Sequence, residues 1–247
     1  MSNIEIIKSL ENKKIKKLSK LLQKKYREEE KKFIVVGDHL VEEAYKTNNL
    51  IEIIKTEDNN ICLDIPTTYV TYDIIKKISG MSNPQSIIGI CSTIKPKNIG
   101  NKVLVLDEIQ DPGNLGTIIR SAVAFNVDTI IMSNNTVDLY NEKTIRASEG
   151  MIFNINILKE ELISFINDLK KKDYKIFGTN VNGGKLVNNL ELPKKYAIIV
   201  GNEGSGVKKE ILDMCDEHFY VPMNPKCESL NVGVATSIIL YEIDKYN

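Results

Sequence analysis

The stretch VLVLDEIQDPGNLGTIIRSA, Val103 to Ala122, decides the fold class. Four apolar residues, Val103 to Leu106, form a short run of the kind that a buried parallel strand requires. Asp107 ends it. After the turn DPGN (Asp111 to Asn114), Leu115, Ile118, Ile119, Ala122 and Val123 recur at the 3.6-residue helical period. Strand, polar turn and helix in that order open an α/β unit, and such units place their ligand loops at the carboxyl ends of the strands.

Downstream of this stretch the alternation continues. TIIM (Thr129 to Met132), a helical segment near Glu142 to Ser148, FNINI, ELISFINDLKKK, YKIFG, YAIIVG, VKKEILDMC and HFYVP follow one another. Strand, helix and strand at this spacing predict a parallel or mostly parallel sheet with helices on both faces. The last element, Leu230 to Leu240, carries no charge and contains Gly233, Ala235 and Ser237. It is expected to be buried all round, in a tight core or a dimer.

Upstream, Ile15, Leu18, Leu21 and Leu22 mark a helix, followed by FIVVG (Phe33 to Gly37), a short helix from His39 to Lys46, LIEII, TTYVT, DIIKKI and SIIGICS. Residues 1–95 therefore read as a small α/β domain, 96–102 as a linker rich in lysine with Pro96 and Gly100, and 103–247 as the larger domain. The 247 residues are 42% apolar and 27% charged, which supports a sizeable core. No leader-like apolar segment is evident and no run reaches the roughly 18 apolar residues of a membrane span, so the cytoplasm is the expected location. Four cysteines without a C-x-x-C pair and two histidines favour a reduced protein without structural zinc.

Basic residues number 33 and acidic residues 33, but residues 1–32 hold ten Lys and one Arg against five Glu. Two readings of this surplus stand. It is a solvated helix face stitched by i, i+4 pairs, or a surface that contacts nucleic-acid phosphates.

Three polar segments interrupt the apolar pattern of the larger domain. In DPGN, Pro112 and Gly113 suit a type II turn, and Asn114 can cap the helix that follows. Arg120, on that helix, is turned away from the Ile118 side; it is a surface arginine or a guanidinium for phosphate or ribose. GNEGSG (Gly201 to Gly206) follows a strand, but its glycine intervals of three and two, late in the chain, are not those of a dinucleotide fingerprint. In VPMNPKCESLNV (Val221 to Val232), Ser229 is a plausible N-cap, while two prolines stiffen a loop whose carbonyls and apolar side chains could accept a flat apolar group.

Taken together, DPGNLGTIIRSA, IIVGNEGSG and VPMNPKCESLNVGVATSI resemble the three motifs of the SpoU (TrmH) branch of the SPOUT RNA 2'-O-methyltransferases, in order and at similar intervals over residues 103–247; RASEG (Arg146 to Gly150) is similar to a further segment. Residues 1–95 resemble more loosely the ribosomal-protein-like RNA-binding domain of many members, with Val36 where an acid is usual in F-x-V-E-G. The resemblance implies a trefoil-knotted α/β domain, S-adenosylmethionine as cofactor, RNA as substrate with ribosomal RNA favoured over tRNA, and a homodimer with its active site near the interface. It implies cofactor contacts at Thr179, Gly201, Val221, Met223 and Leu230. Asn114, Arg120, Glu203, Ser229 and Asn231 match the polar active-site positions, with no metal required.

Transfer of a methyl group to a ribose hydroxyl is an in-line displacement, so the site must align three atoms and help remove a weakly acidic proton. Arg120 is the residue that the resemblance puts at the hydroxyl. A guanidinium donates and does not accept, so stabilising the developing alkoxide or fixing the adjacent phosphate suits it better than a plain base role. Glu203 is expected to hold Arg120 or Asn114 in place. The rival classes are an RNA-binding protein that keeps the fold without chemistry, which the full polar set disfavours, and a Rossmann-type nucleotide enzyme, which the glycine spacing disfavours.

Overall fold

In the computed structural model the described residues are 5–180 and 183–245. They form two compact units, one running to residue 95 and including 140–153, the other comprising 96–139 and 154 onward.

The first unit contains β1 (Ile6–Ile7), α1 (Lys13–Ser19), a 3-10 turn at Lys20–Leu22, α2 (Lys24–Glu30), β2 (Lys32–Val36), α3 (Asp38–Lys46), β3 (Leu50–Lys55), β4 (Thr67–Val70), α4 (Tyr72–Ser79) and β5 (Ile87–Ser92). Its five-stranded sheet has the order β1-β4-β3-β5-β2 and is mixed, with β5 antiparallel to both β2 and β3. Ile15, Leu18, Ile54, Ile74, Ile78 and Ile88 belong to its core cluster. The helix expected around Lys13 is interrupted: α1 tightens into the 3-10 turn at Lys20–Leu22, and the extended backbone of Gln23 separates that turn from α2. Five of the lysines in this basic segment meet carboxylates: Lys14 meets Glu52, Lys16 Glu11, Lys17 Glu30, Lys24 Glu28 and Lys25 Glu29. The last two are i, i+4 pairs, and exposed pairs of this kind stabilise little.

The second unit starts with Ile99 packed on its core and the backbone of Lys97 paired in both directions with the Asn156 side chain, at 2.8 and 3.1 Å. Strands β6 (Lys102–Leu106) and β7 (Thr129–Ser133) flank α5 (Pro112–Ala124) in sequence. Helix α6 (Glu142–Ala147), which falls within 140–153, precedes β8 (Asn156–Glu160). Then come α7 (Leu162–Lys171), β9 (Lys175–Thr179), β10 (Lys185–Leu186), β11 (Tyr196–Val200), α8 (Lys209–Leu212), β12 (Glu217–Tyr220) and α9 (Val232–Asp244).

All described strands of this sheet run parallel, in the order β10-β12-β9-β11-β6-β7-β8. The expected mostly parallel α/β sheet is therefore found. Continuous apolar runs explain it: every residue of β11 is buried, and Val103, Val105, Ile131, Ile176 and Ile199 pack with Leu162, Ile166 and Leu169 of α7. At β6 the chain order reverses, β7 lying on one side and the much later β11 on the other. Ligand crevices form at such a switch point.

Helix α9 departs from the expectation of burial all round. Gly233, Thr236, Ile239 and Leu240 are buried, but Val234, Ile238 and Tyr241 are exposed by 48%, 36% and 52%. One face meets its own unit, where the Ser121 and Ser237 hydroxyls lie 2.7 Å apart and Gly233 lies close to Thr117. The other face is apolar and open.

Candidate active site

The segments that leave the carboxyl ends of β9, β11 and β12, together with α9, line one cavity of about 400 Å³, and the segment after β6 is hydrogen-bonded to the β11 loop in that wall. Helix α5 begins with a correction to the expected turn. Asp111, not Asn114, is the N-cap: its Oδ1 accepts the Asn114 N–H at 2.9 Å, and Pro112 occupies the first helical turn. Proline lacks only a donor that this position leaves unpaired in any helix, so D-P-G-N starts the helix directly rather than forming a type II turn. Asn114 is thereby freed from capping. Its side chain lies on the first turn and reaches outward.

What it reaches is Glu203. Asn114 Nδ2 donates to Glu203 Oε1 at 3.0 Å, and Asn231 Nδ2 donates to Asn114 Oδ1 at 2.9 Å. Glu203 also accepts the backbone N–H groups of Gln110 at 3.2 Å and Asp111 at 3.1 Å. Partial burial pushes the Glu203 carboxyl upward, but these donors together outweigh it and hold the group below the usual carboxylate value of 4.5. It is an anion at neutral pH.

The loop carrying Glu203 is closed on itself. Asn202 and Gly206 exchange two backbone hydrogen bonds of 3.0 Å, and Asn202 Oδ1 accepts from Gly204 and Ser205. Gly206 has φ +70°, and a Cβ on Gly201 would lie 2.1 Å from Gly206 C and Val207 N. These two glycines are therefore required by geometry.

Asn231 caps α9, its Oδ1 accepting from Gly233 at 3.0 Å and Val234 at 3.2 Å. The expected cap Ser229 stands two residues too early; it is exposed and lines the cavity, and its carbonyl accepts the Cys227 thiol at 3.2 Å. One asparagine thus ends a helix with its oxygen and holds Asn114 with its nitrogen.

Arg120 lies apart from this set. It is exposed on α5 and has no hydrogen bond to Glu203, Asn114 or Asn231 among the described residues, so the expected Glu203–Arg120 contact is absent and the Glu203–Asn114 contact is present. The reason is helical geometry. Six residues separate Asn114 from Arg120, roughly 240° of rotation and about 9 Å of rise.

Thr179, Gly201, Val221, Met223 and Leu230 all line the cavity. Thr179 is fixed by its hydroxyl, which donates to Ile199 O at 3.0 Å. Sequence reasoning missed the contribution of α9 to the wall, through Ala235, Thr236 and Ile239, because the uncharged helix read only as core. It also missed Asn202, Asp107 and Glu108. The charged residues at the wall are Glu203 and Glu228, both acidic, so apolar walls and negative charge together fit a nucleoside that carries a cationic group. Among the described residues no cluster of three or more metal-ligating side chains occurs.

The family model described as the SpoU rRNA Methylase family matches residues 101–241, more than half of the chain. The chain belongs to the SpoU rRNA methylase family. A second model, the MRM3-like substrate binding domain, matches residues 12–89.

Relatives of the SpoU family agree over the whole length. A Bacillus subtilis protein named 23S rRNA (guanosine(2553)-2'-O)-methyltransferase RlmP is 36% identical over 96% of this chain and 98% of its own. The crystal structure of an AdoMet-bound rRNA methyltransferase from Sinorhizobium meliloti superposes with a TM-score of 0.88 at 27% identity, covering 98% of each chain. An RNA 2'-O ribose methyltransferase superposes with a TM-score of 0.84 at 26% identity, over 98% of this chain and 100% of the other. SpoU membership makes the chain a methyltransferase acting on RNA ribose, and no described helix is long and apolar enough to cross a membrane.

Proposed function

We propose that this protein transfers a methyl group from S-adenosylmethionine to a ribose 2'-hydroxyl of large-subunit ribosomal RNA, at the guanosine corresponding to the target in the Bacillus subtilis relative's name. The observation that carries the reading is the Asn231–Asn114–Glu203 chain at the rim of an apolar, acidic cavity.

Bound in that cavity, S-adenosylmethionine supplies an electrophilic methyl group on a sulfonium. Val221, Met223 and Leu230 exclude water from an adenosine-sized space, and the missing Cβ of Gly201 lets its loop close against Gly206 and Val207 in the cavity wall. Thr179 lines the same wall while its hydroxyl is committed to Ile199. Glu203, kept anionic, fixes the Asn114 amide, and Asn231 fixes it from the other side. Orientation of the ribose against a rigid amide is where such a site gains rate. Ser229 adds a hydroxyl at the rim. Arg120 donates to the developing alkoxide or to the neighbouring phosphate.

Arg120 stands outside the polar set of its own chain, on a helix that packs beside the open face of α9. Val234, Ile238 and Tyr241 form an apolar stripe suited to a second copy of this chain. We propose a homodimer through this face, with Arg120 delivered to the partner subunit's cavity, a knotted backbone as in SPOUT proteins, residues 1–95 as the RNA-binding domain, and a cytoplasmic location. The test is mapping of 2'-O-methyl groups in ribosomal RNA with and without the gene. Loss of the mark at the counterpart of guanosine 2553 is the expected result, and loss of a tRNA mark alone would overturn the substrate.

A further inference from the structure

Between β6 and α5 the chain passes through Glu108, a non-glycine residue with φ +56°. A left-handed backbone at such a residue costs energy and persists only where its surroundings enforce it. The surroundings here are explicit. The Glu108 N–H donates to Ser133 Oγ at 2.9 Å, anchoring the residue to the end of β7. Its carbonyl accepts from Asn202 Nδ2 at 2.9 Å and Gln110 Nε2 at 3.1 Å. Its carboxylate accepts from Lys208 Nζ and Asn135 Nδ2, each at 2.6 Å. Lys208, then Asn135, hold that carboxyl below the usual carboxylate range, so it is ionised near neutral pH.

Two of these partners, Asn202 and Lys208, bracket the loop that carries Glu203. Lys208 is gripped a second time, its N–H donating to Asp107 Oδ2 at 2.9 Å; Asp107 is 1% exposed and its Oδ1 has no hydrogen-bond partner among the described residues. On the other side of the same loop, Glu203 receives Gln110, Asp111 and Asn114. The loop is therefore fixed at both ends by residues 107–108 and in its middle by 110–114.

We propose that Glu108 is a positioning residue for methyl transfer: by holding Asn202 and Lys208 it sets the loop so that Glu203 meets Asn114. It touches neither cofactor nor ribose and acts through Glu203, so the inference rests on the site reading given above.

Glu108→Gly separates this role from that of a turn residue. Glycine accepts φ +56° without strain and keeps the backbone carbonyl, so a mere turn would be as stable and as active, or more so. The expected result is a kcat lower by about 10- to 100-fold, since a shift of about 1 Å at a site costs on that order. KM for RNA is expected to stay within about twofold and the melting temperature within about 3 °C, because an exposed ion pair contributes little. A cycle of Glu108→Gln, Lys208→Met and the double variant supplies the second measurement. Coupled residues lose no more together than the worse single change, whereas independent ones multiply.

Wild-type kcat in Glu108→Gly, a multiplicative double variant, or a kcat loss matched by a proportional loss of melting temperature would each overturn the inference. Glu203→Ala is measured alongside. If it turns over at the wild-type rate, the reading of the site itself fails; if it is inactive while Glu108→Gly is unimpaired, only the positioning role falls.

Discussion

Replacing Gly201 with alanine adds one methyl group at the place where the Glu203 loop folds back on strand β11. The new Cβ would stand 2.1 Å from Gly206 C and from Val207 N, and 2.4 Å from Gly206 O. Ordinary contact begins at 3.4 Å, so backbone atoms must retreat by about 1.3 Å. No flexible side chain is available to give way. The paired hydrogen bonds between Asn202 and Gly206 lie within the segment that must move, as does Glu203. Overpacking of this kind costs about 1–3 kcal/mol of stability, small enough to leave the protein folded. Its effect on the site is larger: a shift of about 1 Å costs roughly 100-fold in rate, and the displaced wall weakens cofactor binding as well. Gly204→Ala is the matched comparison. There the added Cβ meets only Asn202 Oδ1, at 3.6 Å, an ordinary contact, so its loss should be at least about tenfold smaller. Transfer of a tritiated methyl group to unmodified ribosomal RNA measures the rate, and calorimetry with S-adenosylmethionine the affinity. Equal rates and affinities for wild type and Gly201→Ala would refute the claim that this loop builds the cofactor wall.

Arg120→Ala is expected to abolish transfer while leaving S-adenosylmethionine affinity within about threefold, because Arg120 does not line the cavity of its own chain; wild-type turnover would remove it from the mechanism. Mixing Arg120→Ala with Glu203→Ala subunits tests whether Arg120 acts across a two-fold interface: random exchange should recover about a quarter of wild-type activity, since half of the dimers hold one complete site, and no recovery would place Arg120 in its own subunit's site. Tyr241→Glu sets a charge on a side chain 52% exposed within the apolar stripe of α9, and sedimentation should show monomers; an unchanged dimer would assign the stripe another role. Activity on the acid side is expected to fall only below pH 4.5, the usual Glu203 value, because its folded-state value is lowered and its contribution is present above the unfolded value and lost as pH falls through the folded one. A limb at pH 6 that disappears in Glu203→Gln would contradict this.

The sequence shows the sheet more clearly than the site, and the difference is physical. A parallel strand is buried on both faces, so Val103 to Leu106 and Tyr196 to Val200 declare themselves as apolar runs, and the order of those runs predicts an α/β sheet before any pairing is known. Register between β6 and β11, about 90 residues apart, has no local signal. At the site, local chemistry misled in two places where two residues could do the same job. Asn114 and Asp111 are both good caps, and so are Ser229 and Asn231; the chain uses the member at the helix boundary, Asp111 beside a first-turn proline and Asn231 beside Val232. The release of Asn114 from capping is what allows it to reach Glu203, and that long-range choice is invisible in a window of a few residues. Glu108 was silent for a similar reason. Nothing in DEIQDP marks the glutamate as left-handed, because the conformation is imposed by Ser133, Asn135, Asn202 and Lys208, which arrive from β7 and from the loop after β11. The three segments thus form a site because Asn114, Asn202, Glu203 and Asn231 each have a partner that the linear sequence keeps more than 20 residues away. Of the polar candidates, Ser229 is placed there only by lining the cavity, and Arg120 stands apart, its place in the site depending on a second chain if the subunit-mixing experiment yields activity.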